Sequence, residues 1–272
     1  MPSWLSDPAE SVKQVVVQKK IPIPLPKCKA TTLRLASPCA NLYYREMIPL
    51  RDTTKSRTIP FVNYGLIIIS TVVFLFELGL DERSSYAFFM TFGVIPAKIH
   101  SSVFAGTVLL QPILSLFTSM FLHGGWAHLI GNMLYLYIFG DNVEDRIGHG
   151  SYLFFYCLCG IGAALIESFV QGASTVPLIG ASGAIAGILG AYFLLFPRAR
   201  VLTLIPLIVF FPVVEVSAFF FLGFWFLLQF LQGSLSLGDA AQGGIAWWAH
   251  AGGFLVGGVL LPFFLLFRRL SS

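Results

Sequence analysis

Charge is what this chain has least of: 11% of its 272 residues are Asp, Glu, Lys or Arg, against 56% hydrophobic. A soluble domain carries roughly a quarter charged residues, so a single soluble globule is excluded. Cysteine is equally thin. Of four cysteines, Cys28 and Cys39 fall in a polar tail, while Cys157 and Cys159 stand two apart in an apolar segment and so point in different directions. That pattern offers neither a disulfide framework nor a metal spacing, and the thiols read as inert small apolar groups. The five histidines include no His-Glu-x-x-His, and His100 and His149 lack partners at ligand spacing, so no metal centre is expected. No internal repeat is evident, which argues against a transporter built of duplicated halves. The amino terminus does not resemble a secretory signal: its first apolar run, Val15 to Val17, leads into Lys19, Lys20 and the proline-spaced stretch Ile21 to Pro26, which resists helix.

What the chain does have is long apolar segments and 27 phenylalanines. A hydrocarbon core about 30 Å thick needs roughly 20 helical residues, and the apolar runs from Phe61 onward predict six spans. These are Phe61 to Leu80, Gly125 to Gly140, His149 to Val170, Gly180 to Pro197, Val213 to Leu231 and Ile245 to Phe267, with a long loop after the first that holds Gly93, Pro96, Pro112 and the apolar stretch Ile113 to Leu122. The expected fold class is an all-α polytopic membrane protein, a six-transmembrane-helix bundle over residues 58–268. Residues 1–57 are expected as a partly extended or disordered extension, and 269–272 as a short tail.

Lysine and arginine set the orientation. An even number of spans puts both termini on one side, with ten basic residues in the tail plus Arg146, Arg198, Arg200, Arg268 and Arg269, while the opposite loops hold Arg83 and Lys98. Both termini are therefore expected in the cytoplasm. The net charge of +4 is concentrated beside the membrane, which points to anionic lipid as a partner and not to nucleic acid.

Four polar residues lie where a bilayer tolerates few: Ser182, His250, His128 and Asn132. With the orientation above, His128 sits in the first turn of the second helix and Asn132 one turn deeper on the same face. Ser182 begins the fourth helix from the outer side, and His250 lies about 8 Å into the sixth. All four converge at one depth. The second and fourth helices, at sixteen and eighteen residues, are expected to be short enough for their outer ends to stop below the surface and admit water.

A serine hydroxyl needs a base, and histidine suits that work near neutral pH. Ser182 would attack a carbonyl while His250 takes and returns the proton. The Ser182 N–H, His128 and Asn132 are candidate donors to the oxyanion. No acidic residue at that depth stands in an obvious position to orient His250, so a dyad is favoured over a triad, and the chemistry requires no cofactor. Gly180 and Gly183 allow close approach of a substrate backbone. Gly183 with Gly187 and Gly253 with Gly257, each four apart, are expected at tight helix crossings.

Gly180-Ala181-Ser182-Gly183, the His128-x-x-x-Asn132 spacing within Leu122 to Met133, and Ala249-His250-Ala251-Gly252-Gly253 resemble the rhomboid intramembrane serine proteases. Met47 to Asp52 and Gly140 to Gly148 are similar to prokaryotic members, and the resemblance extends from about Tyr44 to Phe267. It implies a six-helix core, a Ser182 and His250 dyad, an oxyanion site involving His128 and Asn132, and transmembrane protein substrates cleaved near a small residue. It implies location in a prokaryotic cell (inner) membrane. The Trp-Arg pair that some members carry in the first loop has no counterpart here, because that loop lacks tryptophan. The tail from Met1 to Tyr43 matches nothing in the family pattern.

Blander readings stand beside these. Taken alone, Gly-x-Ser-Gly at a helix start reads as close packing and Asn132 as interhelical glue. His123 reads as a loop residue, Glu167 and Glu215 as interfacial, and Glu144 and Arg146 as helix caps or local pairs. Besides a protease, the chain could be a non-catalytic relative that binds or escorts membrane proteins, which the intact serine and histidine disfavour. It could also be a small-solute transporter, which the missing repeat disfavours. The crossing from Gln232 to Gly244, rich in glycine and serine, is a place where motion could admit substrate. Oligomeric state is not readable.

Overall fold

The computed structural model describes residues 47–104, 110–205, 211–236 and 245–271. The tail before Met47, with Cys28 and Cys39, and most of the Gln232 to Gly244 crossing lie outside the described residues. A short strand β1 (Ile48–Asp52) leads into α1 (Phe61–Leu78). Two short helices, α2 (Glu82–Phe92) and α3 (Pro96–Phe104), follow, then α4 (Leu110–Thr118), which runs through a single 3₁₀ turn into the bend before α5 (Trp126–Ile147). Next come α6 (His149–Val170), α7 (Ser182–Leu195), the strands β2 (Arg200–Leu204) and β3 (Val213–Ser217), and finally α8 (Ala218–Leu235) and α9 (Trp247–Ser271).

The architecture is a polytopic helical membrane fold. Among the described residues four helices, α1, α6, α8 and α9, are each long and apolar enough to cross a bilayer. The pair formed by Leu110–Phe121 and α5 passes the same test together but is bent by 82°, as a broken span or a re-entrant loop would be. The apolar stretch expected inside the first loop is the first arm of that bend. Large apolar side chains stay exposed along the outer helices, among them Ile68, Val72, Phe154, Phe220, Val259 and Phe263. A surface so greasy belongs against lipid.

The inner helix is α7. Its 14 residues are too short to span by themselves, at about 21 Å, and nine of them are buried. It packs against α5, α6, α8 and α9. Small residues make that possible. A Cβ added to Gly253 would run into the Gly183 carbonyl oxygen, and one on Gly257 into that of Gly187, so α7 and α9 cross backbone to backbone. In a membrane, where burial of apolar surface does not drive helices together, such close contact supplies the attraction.

Three boundaries differ from the sequence expectation. The second expected span does not stop at Gly140 but continues to Ile147, which makes a helix of 22 residues and not a short one. Gly140 is no helix stop, because Asn63 and Tyr152 press against it: an added Cβ would lie 2.5 Å from the Tyr152 hydroxyl. That hydroxyl donates to Asn63 Oδ1 at 2.7 Å, and Asn63 Nδ2 donates to the Leu136 carbonyl at 3.0 Å. The fifth expected span starts at Ala218, since Val213–Ser217 is a strand. Its three valines suit an extended backbone, and it closes an antiparallel sheet in the order β1-β2-β3. The fourth expected span is trimmed at both ends, to Ser182–Leu195.

The acidic cluster after Gly140 is therefore helical, and it pins neighbouring elements. Glu144, fully buried, accepts from the Val62 N–H at 3.1 Å and the Asn63 N–H at 2.8 Å. It thereby satisfies the first turn of α1, where no side chain of the helix's own caps it. His149 Nδ1 lies 2.5 Å from the same carboxylate. At the bundle's edge β1 is tied to the core through Asp52, which accepts from Tyr192 and, at 3.1 Å, from Asn142 Nδ2.

Candidate active site

Ser182 is the first residue of α7, and the turn before it has an unusual backbone. Gly180 adopts φ +120°, a region open to glycine, and its N–H donates to the Ser119 carbonyl at 2.9 Å. The approach to that turn is held from the side, since Leu178 pairs with Val94 through two backbone hydrogen bonds of 2.7 and 3.0 Å. With Ala181 in the cap position and no side chain bonded there, the Ser182 hydroxyl is not consumed by capping. The first N–H groups of α7 also lack intrahelical acceptors, as at any helix start.

His250 reaches Ser182 from α9. Its Nε2 lies 2.8 Å from Ser182 Oγ, and its Nδ1 lies 2.7 Å from Gln229 Oε1. An amide oxygen only accepts, so Nδ1 carries the proton and Nε2 is left to accept from the serine hydroxyl. Gln229, on α8, is 2% exposed. The sequence gives it little prominence, because it sits among leucine and phenylalanine with Gln232 three residues on; the rule that flags the other polar residues, that a polar group in an apolar span needs a reason, applies to it equally. The Trp225 and Trp247 rings flank the imidazole at centroid distances of 6.0 and 6.3 Å.

Glu167, near the end of α6, is 4% exposed, and its carboxylate accepts the Ala249 N–H at 2.7 Å. It caps the start of α9 from α6, one residue before His250. An acceptor at a helix N-terminus meets both the orphan N–H groups and the positive end of the dipole.

His128 and Asn132 come from the first turns of α5 and close the other side. A Cβ on Gly180 would sit 2.6 Å from His128 Nε2 and 3.6 Å from Asn132 Nδ2, so both side chains abut the turn that precedes Ser182. Asn132 Nδ2 is buried and has no hydrogen-bond partner. Buried donors are nearly always satisfied, so an unpartnered amide against the turn before Ser182 is unusual. His123 stacks edge-on to His128 with centroids 5.1 Å apart. Its backbone N–H donates to Glu77 at 3.2 Å and its Nδ1 lies 3.2 Å from the Phe121 carbonyl, which fixes the bend between α4 and α5.

The structure thus brings Ser182, His250, His128 and Asn132 to one end of the bundle around the Gly180 turn. The glycines named with them divide: Gly180 forms the turn, whereas Gly183, Gly187, Gly253 and Gly257 lie on the α7–α9 crossing and its contact with α6.

Comparison with known proteins identifies the family. Residues 111–268 match the model of the Rhomboid domain. The rhomboid protease AarA of Providencia stuartii is 28% identical over 218 residues, covering 74% of this chain and 71% of the relative. The rhomboid protease GluP of Bacillus subtilis is 47% identical over 76 residues, 28% of this chain and 14% of that protein. Rhomboid-like protein 11 of Arabidopsis thaliana, a chloroplastic relative, is 39% identical over 71 residues, so the match spans only 25% of its length. With more than half of its length matching the domain and a polytopic helical fold around the Ser182 turn, the chain belongs to the rhomboid family.

Proposed function

We propose that the chain is an intramembrane serine protease that cleaves single-pass membrane proteins, with Ser182 as nucleophile and His250 as base. One observation carries the reading: a serine hydroxyl 2.8 Å from an imidazole whose other nitrogen is held by Gln229, next to a buried amide donor with no acceptor.

In this mechanism Ser182 Oγ attacks the scissile carbonyl carbon as its proton passes to His250 Nε2. The carbonyl oxygen becomes an oxyanion, stabilised by the Ser182 N–H and the side chains of Asn132 and His128. Collapse of the tetrahedral intermediate returns the proton from Nε2 to the leaving amine and leaves an acyl-serine. Water, deprotonated by the same imidazole, then hydrolyses that ester. Gln229 keeps the productive tautomer but, being neutral, adds no charge to offset the imidazolium. Ser182 and His250 are only partly buried, which supports access for water and an unwound substrate strand.

The charge distribution along the chain supports an orientation with both termini in the cytoplasm. The reactive serine then faces the outer part of the bilayer. Membrane lipid is the surrounding partner, and residues 58–268 form the membrane domain.

The test is incubation of the full-length protein in detergent or liposomes with a single-span substrate, in parallel with Ser182→Ala and His250→Ala. Cleavage by the parent, with both variants at background, is expected, along with labelling of Ser182 by a mechanism-based serine probe. Cleavage that survives either substitution overturns the assignment, and a parent that binds substrate without cleaving it would make the chain a non-catalytic binding relative.

A further inference from the structure

The opposite end of the bundle carries a feature that proteolysis does not use. A cleft of about 400 Å³ lies where the segment before α1 meets the last turns of α5, α7 and α9. Four cations line it: Lys55, Arg57, Arg146 and Arg268. Among the described residues the ion pairs found are His149 with Glu144 and Arg200 with Glu215, and neither includes any of the four. The carboxylate in the cleft wall, Asp145, is already engaged: it accepts from the Thr58 N–H at 3.1 Å and the Thr58 hydroxyl at 2.8 Å.

Two of the cations are held by neutral partners. Arg268 donates through Nη1 to the Asp145 backbone carbonyl, and the Arg146 guanidinium lies over the Phe196 ring, 5.7 Å from its centroid. Both anchors restrict the side chain and are themselves neutral, so the four cations outnumber the one carboxylate, Asp145, in the cleft lining. Positioned guanidinium groups with spare donors are suited to phosphate oxygens, which they can bind in pairs.

The surroundings bear on the source of such a phosphate. Ile59 and Phe61 beside Arg57, and Phe267 and Leu270 beside Arg268, are exposed by 58% or more. They neighbour the cleft's cations in sequence, at the ends of spans, the depth at which a phospholipid places its phosphate above its acyl chains. Basic pockets between membrane helices are known to take acidic headgroups.

We propose that this cleft binds a phosphate ester anion, with the headgroup of an acidic phospholipid as the source favoured by the apolar flanks. The site is independent of the serine chemistry and is tested by binding, with Ser182→Ala protein serving as well as the parent. Full-length protein in detergent is titrated with phosphatidylglycerol or phosphatidylcholine and examined by native mass spectrometry. We expect saturable retention of phosphatidylglycerol over phosphatidylcholine, weakened at least tenfold in Arg146→Gln/Arg268→Gln. A second pair, Lys55→Gln/Arg57→Gln, alters a segment outside the helices and keeps the test open if the first pair misfolds. Arg198→Gln, an exposed arginine outside the cleft lining, should change retention less than twofold. Displacement of the lipid by inorganic phosphate would support the phosphate site and add soluble anions as a source; retention in its presence would support the lipid alone. Equal retention of both lipids, undiminished binding in both double variants, or an equal loss with Arg198→Gln overturns the proposal.

Discussion

The two ends of this bundle handle buried polarity in opposite ways. Around Ser182 the buried carboxylates, Glu167 and Glu77, are spent on the backbone N–H groups of Ala249 and His123, and two buried nitrogens, Asn132 Nδ2 and His123 Nε2, have no partner. At the other end Glu144 is fully buried and engages three groups, while Asp52 and Asp145 are each bonded to side chains or backbone of a different element. Among the described residues, Asn142 Oδ1 in that second cluster is also unpartnered. Carboxylates that are nearly saturated hold elements together. Buried donors left open lower stability and become useful only when an acceptor arrives.

The largest expected effect tests whether the Ser182 end is chemical at all. Ser182→Ala should reduce cleavage by about 10⁴-fold or more, with the melting temperature little changed, since the hydroxyl makes a single bond in the resting protein. Asn132→Ala should lower kcat by roughly 10²–10³-fold, the scale of a lost oxyanion donor, without loss of stability, because its amide nitrogen has no partner to lose. A marked fall in melting temperature would mean that Asn132 is interhelical glue after all.

Gln229→Met keeps the size of the side chain but removes the acceptor for His250 Nδ1. We expect a roughly ten- to hundredfold lower kcat, the range for a buried donor left unsatisfied, with KM nearly constant and Gln229→Glu retaining activity. Equal losses in both variants would point to packing. At the charged end, Glu144→Ala should destabilise by about 2–4 kcal/mol in a denaturant titration, because the N–H groups of α1 and His149 lose a common partner. Activity per folded molecule should hold, and a selective loss of turnover would break the division between the ends.

The smallest effect concerns Asp52. Burial pushes its carboxyl up from the ordinary value, against the lowering effect of hydrogen bonds from Tyr192 and Thr54. A raised acid stabilises the fold in its protonated form, so this contribution is present at low pH and is lost as pH rises through the raised value. Asp52→Asn, which cannot ionise, should flatten that slope. An unchanged pH dependence of the melting temperature would remove Asp52 from the account.

Much of the fold was legible because membrane helices announce themselves by length and polarity. The ends of α6 are where the apolar run begins and stops, at His149 and Val170. Errors came where a local signal was ambiguous. Gly140 followed by charged residues reads as a helix stop, but the glycine serves Asn63 and Tyr152, which arrive from two other helices. Val213–Ser217 is apolar like a span, and only pairing with Arg200–Leu204 reveals a strand. The partner of Glu167, the Ala249 N–H, lies 82 residues away and leaves no local signal.

The sequence by itself determined that the chain lives in a bilayer, and it singled out Ser182, His250, His128 and Asn132 as polar residues in apolar surroundings. Composition and spacing suffice for this, because exposing charge to lipid is costly wherever it occurs. Only the tertiary structure decided that Gln229 meets His250, that Glu167 caps α9 and that four cations share one cleft. Those contacts depend on the rotation of each helix about its axis, which is set by how glycines such as Gly253 and Gly257 let backbones meet, and a one-dimensional pattern of apolar residues leaves that angle open.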